Sequence, residues 1–135
     1  MASGAPDWVT TVAVTVIVEN VPVIQVPGLE AAAGDVARYE GDDAEYQVVA
    51  EWEVLAGKTG ELREVSMISD DYENTVWKLV VGARTILEDD ILQSALTIPF
   101  GDLRLAAGAK VTLSVHSDGV NTIVVDGSII GKEVG

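Results

Sequence analysis

The stretch "VLAGKTGELREV" carries Gly57-Lys58-Thr59, the closing residues of a phosphate-binding P-loop. A Walker loop needs its first glycine five positions before the second, where a tight turn lets backbone amides reach phosphate. That position here is Trp52, and "EYQVVAEWEV" around it alternates like a strand. A P-loop must also open a helix, whereas "GELREVSMIS" after Thr59 is rich in β-branched residues and reads as another strand. Lys58 is therefore expected at the tip of a hairpin between Val54 and Leu62, and no phosphate chemistry is assigned to it.

His116, the single histidine, stands beside Ser117 and Asp118, which lists the members of a hydrolytic triad. Adjacent residues on a strand point to opposite faces, so Ser117 cannot meet that imidazole side by side. No G-x-S-x-G elbow is present either. His116 is expected to be exposed near a turn. Three acidic clusters, Glu40-Gly41-Asp42-Asp43, Asp70-Asp71-Tyr72-Glu73 and Glu88-Asp89-Asp90, are expected in loops. Loop carboxylates with carbonyls admit one structural calcium, although none of these matches the EF-hand spacing; no cofactor is otherwise expected. Paired carboxylates also serve glycosidases, but only 5% of the chain is aromatic, too little to wall a sugar cleft. No nucleophile–base pair or metal set can be assembled, so no catalytic residue is named and the chain is read as a non-enzyme.

The elements that would position any site are strands. Apolar residues recur with period two almost throughout. In "EYQVVAEWEV", Tyr46, Val48, Ala50, Trp52 and Val54 share one face and Glu45, Gln47, Glu51 and Glu53 the other, with Val49 the exception. In "AKVTLSVHS", Val111, Leu113 and Val115 point inward and Lys110, Thr112, Ser114 and His116 outward. Further strands are expected near 61–69, 75–81, 84–87, 95–100, 121–126 and 129–134. Turn residues punctuate them at 57–60, Asp70-Asp71, Gly82, Gly101-Asp102, Ala107-Gly108, Asp118-Gly119 and Asp126-Gly127. The two Asp-Gly pairs carry the strongest tight-turn chemistry. A helix is expected, if anywhere, over "LEAAAGDVARY", Leu29–Tyr39. Eight to ten short strands predict an all-β chain folded as an antiparallel β-sandwich, jelly-roll-like.

Composition narrows the partners. The 135 residues hold no cysteine, which excludes disulfides and thiolate metal sites, and a net charge of −14. Direct nucleic-acid binding rests on Lys and Arg displacing counterions, and attraction to an anionic membrane surface also needs basic residues. Neither partner is expected. The longest apolar run, Val9–Val18, is about half a membrane span, and no Lys or Arg precedes it as a signal peptide requires. The chain is expected to be soluble.

That run differs from the other strands, since Val12, Val14, Val16 and Val18 alternate with Ala13, Thr15 and Ile17, leaving both faces largely apolar. A central strand covered on both sides accounts for this; docking on a neighbouring subunit is the functional alternative. Trp8 precedes it as a further contact anchor, and Pro22 and Pro27 interrupt any ladder beyond it. The chain is divided into residues 1–26, a strand or arm, and 27–135, the sandwich. Trp52 and Trp77 are expected in the core; Trp8, Tyr39 and Tyr72 are the aromatics left for a surface.

From residue 52 onward, "WEVLAGKTGELREVSMIS", "VWKLVVGARTILEDD", "LTIPFGDLRLAAGAKVTLSVHSDG" and "TIVVDGSIIGKEV" follow one another in an order that resembles the small jelly-roll decoration, or cement, proteins of tailed-bacteriophage capsids. The resemblance implies a homo-oligomer, a trimer first, that binds the major capsid protein on the outer surface of the virion after synthesis in the host cytoplasm. It implies an N-terminal arm making inter-subunit contacts, for which Trp8, Val12, Val14, Val16, Ile17 and Val18 are the candidates here. A carbohydrate- or receptor-binding sandwich module, free or on a phage fibre, is the alternative.

Overall fold

The computed structural model describes residues Glu30–Gly135. The proposed arm residues, Trp8 and the Val12–Val18 candidates, lie outside the described residues, as does the 26/27 division. Eight strands follow in order: β1 (Glu30–Gly41), β2 (Gln47–Glu53), β3 (Thr59–Ser69), β4 (Val76–Val81), β5 (Arg84–Asp90), β6 (Leu96–Leu105), β7 (Lys110–His116) and β8 (Ile123–Val134). A single 3-10 turn, Tyr72–Asn74, sits between β3 and β4.

The strands form two four-stranded sheets, β1-β8-β3-β6 and β2-β7-β4-β5. Within them β1 neighbours β8, β2 pairs with β7, β3 with β6, and β4 with β5. Residues 30–135 thus form one long antiparallel ribbon whose tip is the Gly82 turn. Rolling that ribbon up adds the pairs β8–β3 and β7–β4 and divides it into two layers. This is the jelly-roll sandwich expected from strand number and spacing. Its layers close over Leu62, Val65 and Met67 of β3, Ile123, Val125 and Ile129 of β8, Val111, Leu113 and Val115 of β7, and Trp77 and Leu79 of β4, all at 0% exposure.

Rolling also explains where the turn reading fails. Successive strands change sheet at every connection except β4–β5, so Lys58 is not the tip of a hairpin. It lies in a turn closed by the Lys58 amide donating to the Leu55 carbonyl (3.1 Å), and this turn carries the chain from one sheet to the other. Asp126-Gly127 is no turn at all, and β8 runs straight through it as one strand. Gly127 is there for space: a Cβ would stand 2.7 Å from Leu113 Cδ2 and 3.0 Å from Val49 Cγ1. Gly101 and Asp102, with φ of 61° and 60°, likewise lie within β6. They belong to an irregularity where Phe100–Asp102 stand opposite Arg63 alone. The Glu88–Asp90 cluster closes strand β5 and is not a loop.

Leu29–Tyr39 corrects the helix expectation, since Glu30 onward is strand β1. Ala33, Ala37 and Tyr39 pack on the core at period two. Gly34, at φ 128°, passes so close to β8 that a Cβ would overlap the Ile129 carbonyl oxygen. Close packing of the neighbouring strand overrides the weak helical preference of alanine. In β2 the pairing register shifts between Val48 and Ala50, leaving Val49 as the extra residue of a bulge. Val49 therefore turns inward (7% exposed) and Val48 outward (56%), reversing the assignment for that pair. Ala50, Trp52 and Val54 remain inside as expected.

Candidate functional site

Four connections meet at one end of the sandwich. The Ser117 amide donates to the Asp43 carbonyl (2.7 Å) and the Asp70 amide to the Val124 carbonyl (3.1 Å), tying β1–β2, β3–β4 and β7–β8 together. These loops carry Asp42, Asp43, Glu45, Asp70, Asp71, Glu73 and Asp118, and no Lys or Arg. Three of these carboxylates are already engaged as backbone caps. Asp118 Oδ1 accepts from the amides of Val120 (2.9 Å) and Asn121 (2.8 Å). These bonds and those from the Asn121 and Ser117 side chains hold its carboxyl down to about 2. Asp70 Oδ1 accepts from the Val124 amide (2.9 Å), and Asp71 accepts from the Asn74 amide (3.4 Å) as well as its side chain (2.9 Å). Among the described residues no group of three or more His, Asp or Glu side chains converges; the engaged carboxylates hold loop and strand backbone in place.

The triad list dissolves in the same loop. The Ser117 hydroxyl donates to the Asn121 carbonyl and contacts Asp118 (3.1 Å), while His116 Nδ1 meets the Ser117 carbonyl oxygen at 2.7 Å. Serine and imidazole share no side-chain bond there. His116 does project to the outer face of its sheet, as its strand parity requires, but it is half-buried and not exposed. Its ring stands edge-on to Tyr46, with centroids 4.7 Å apart.

Tyr46 is the hub of an arrangement that sequence reading missed. Its hydroxyl donates to Asp89 Oδ1 (2.6 Å) and accepts from the Asp89 amide (2.9 Å), locking β5 to the start of β2 across the sheet. Lys78 Nζ lies 5.4 Å from the Tyr46 ring centre and 4.0 Å from Glu88. Asp89 takes a left-handed φ of 56° to make the contact. Burial, then the bond to Asp89, pushes the Tyr46 hydroxyl up to about 12. A phenol held protonated in this way is a fastener, not a base or a nucleophile. Because the folded-state value is raised above that of the unfolded chain, the stabilisation is complete below pH 10 and disappears as pH rises through 12. Alkaline spectrophotometric titration is expected to resolve a tyrosine ionising near 12, which Tyr46→Phe removes.

The opposite end is built differently. The Val54 amide donates to the Ala109 carbonyl (2.9 Å), the Gly108 amide to Val54 (2.8 Å) and the Gly82 amide to Lys110 (2.7 Å). These bonds gather the remaining three connections. Gly82, Ala83, Ala107, Gly108, Ala109 and Lys110 line an open depression of about 520 Å³. At the same end Glu133, 8% exposed, accepts from Trp52 Nε1 (2.9 Å) and the Leu55 amide (3.2 Å). The Trp52 ring lies against Gly60 and Gly131, where a Cβ would stand 3.1 Å and 2.8 Å from it. Nothing in "GKEV" signals that Glu133 is buried except its odd-numbered register with Ile129 and Gly131, which runs against its charge.

Lys58-Thr59 thus leads into strand β3, not a helix, and no backbone cradle for phosphate forms. Among the described residues the aromatics are turned inward or clasped: Trp52 and Trp77 are buried, and Tyr39, Tyr72 and Phe100 pack against the core. Among the described residues, every large exposed apolar side chain is aliphatic. No family model matches this chain, and neither does any curated protein or solved structure.

Proposed function

We propose that this chain is a structural virion protein, a decoration or cement protein that stabilises a tailed-phage head by clamping neighbouring subunits of the major capsid protein from outside. The observation that carries the reading is the strand order β1-β8-β3-β6 over β2-β7-β4-β5, the rolled ribbon that viral shell proteins use alongside lectins and cupins. The resemblance over residues 52–134 points to the first of these uses. Its mechanism is burial of apolar surface between subunits, about 1,600 Å² in total for a standard interface. The homo-oligomer, a trimer in this reading, assembles through the N-terminal arm.

The carbohydrate-binding alternative needs flat aromatic rings on an outer face to stack on sugars. The inward placement of Trp52, Trp77, Tyr39, Tyr72 and Phe100 weighs against it within the sandwich. The two readings separate in one experiment. Purified chain is mixed with DNA-filled heads of the encoding phage assembled without it, and sedimented. Saturable co-sedimentation at a fixed stoichiometry, raising the temperature at which the heads rupture, is expected. No association with heads, together with selective binding on a glycan array, would replace this reading with the alternative.

A further inference from the structure

Charge is segregated along the sandwich. The acidic loops hold no basic residue, while Lys58, Arg84, Arg104, Lys110 and Lys132, five of the chain's eight basic residues, lie at or beside the opposite end. One of these is neutralised, Lys132 meeting Glu61 at 3.7 Å; Lys110 stands opposite Glu53 across the β2–β7 ladder without closing to an ion pair. Arg84 and Arg104 are exposed and, among the described residues, make no ion pair. Arg84 and Lys110 flank the Gly82-Ala83 turn, because Val81 is opposite both Arg84 and Val111 in the sheet. Between these cations the surface is the depression floored by alanine and glycine, next to Leu55 at 60% exposure.

The two ends are separated by the length of β3, 11 residues, roughly 36 Å at about 3.3 Å per residue. That is several Debye lengths at physiological salt, where screening acts over about 8 Å. The field at the small-residue end is therefore set by the charges there, five cations against Glu53, Glu61 and Glu133, and not by the net charge of −14.

We propose that this end is a docking surface for an acidic segment of a protein partner, whose carboxylates pair with Arg84 and Lys110 while its backbone lies on the alanine and glycine floor. A floor without side chains larger than methyl admits a polypeptide backbone closely. It offers no aromatic ring for a base to stack on, which single-stranded nucleic acid exploits. The inference does not depend on the virion reading.

The test is a titration of the full ¹⁵N-labelled chain, at low salt, with a short poly-glutamate peptide and separately with a thymidine oligonucleotide of equal charge. The peptide is expected to move the amides of 82–84 and 107–110, with an effect that salt abolishes. The exposed double variant Arg84→Glu, Lys110→Glu is expected to weaken binding about tenfold or more, since like charges then face each other. Shifts that persist in the double variant overturn the proposal, as does the absence of shifts with either probe. Tighter binding of the oligonucleotide than of the peptide also overturns it, in favour of a nucleic-acid site.

Discussion

Glu133→Ala is expected to destabilise the sandwich by about 2–3 kcal/mol, because it strands the buried Trp52 indole donor and takes the acceptor from the half-buried Leu55 amide. Trp52 Nε1 and the Leu55 amide both point at the same carboxylate oxygen, at 2.9 and 3.2 Å. The indole donor has no room to turn to water without moving the Trp52 ring off Gly60 and Gly131. For a domain of this size that loss lowers the melting temperature by roughly 7–14 °C. Glu133→Gln keeps an oxygen acceptor in place and is expected to cost much less. Thermal unfolding of the two variants separates loss of the acceptor from loss of charge. Equal destabilisation by both would make the negative charge itself the stabilising feature.

The second large effect lies at the centre of the core, where Leu113 fills the space that Gly127 leaves open. Leu113→Ala removes a fully buried side chain and is expected to cost about 2–5 kcal/mol. Gly127→Ala forces a methyl group to within 2.7 Å of Leu113 Cδ2, an overpacking of about 1–3 kcal/mol. The double variant is expected to be more stable than the sum of the two losses predicts, since the new methyl enters the space vacated by leucine. A coupling of about 1 kcal/mol or more is predicted from chemical denaturation of the four proteins. Strict additivity would mean that the two residues do not share this space.

The same pair explains what was legible in the sequence. Strand positions and the inward face of β7 follow from period-two patterning, because Val111, Leu113 and Val115 must leave water whatever the topology. The sheet to which each strand belongs is not written in that pattern. Asp118-Gly119 and Asp126-Gly127 have the same local chemistry, yet one turns the chain and the other is crossed by a continuous strand. The difference lies in what faces them: Ala44 Cβ at 3.2 Å from the Cβ position of Gly119, and the Leu113 side chain at Gly127. A bulge is equally silent locally, so Val48 and Val49 exchange faces without any signal except the broken alternation that set Val49 apart. The Tyr46–Asp89 clasp joins residues 43 positions apart, and it becomes visible only once β2 and β5 lie in one sheet. The acidic clusters were legible as residues but not as roles, since Asp71 and Asp118 cap the turns they open and Asp70 caps Val124, 54 positions away.

A structural role through subunit contacts is tested most directly by solution mass. Light scattering would be recorded on the full chain and on a variant lacking residues 1–20, which removes Trp8 and the valine run. The account predicts a stable trimer for the full chain and dissociation on truncation, with the sandwich still folded. A monomer in both cases would contradict it.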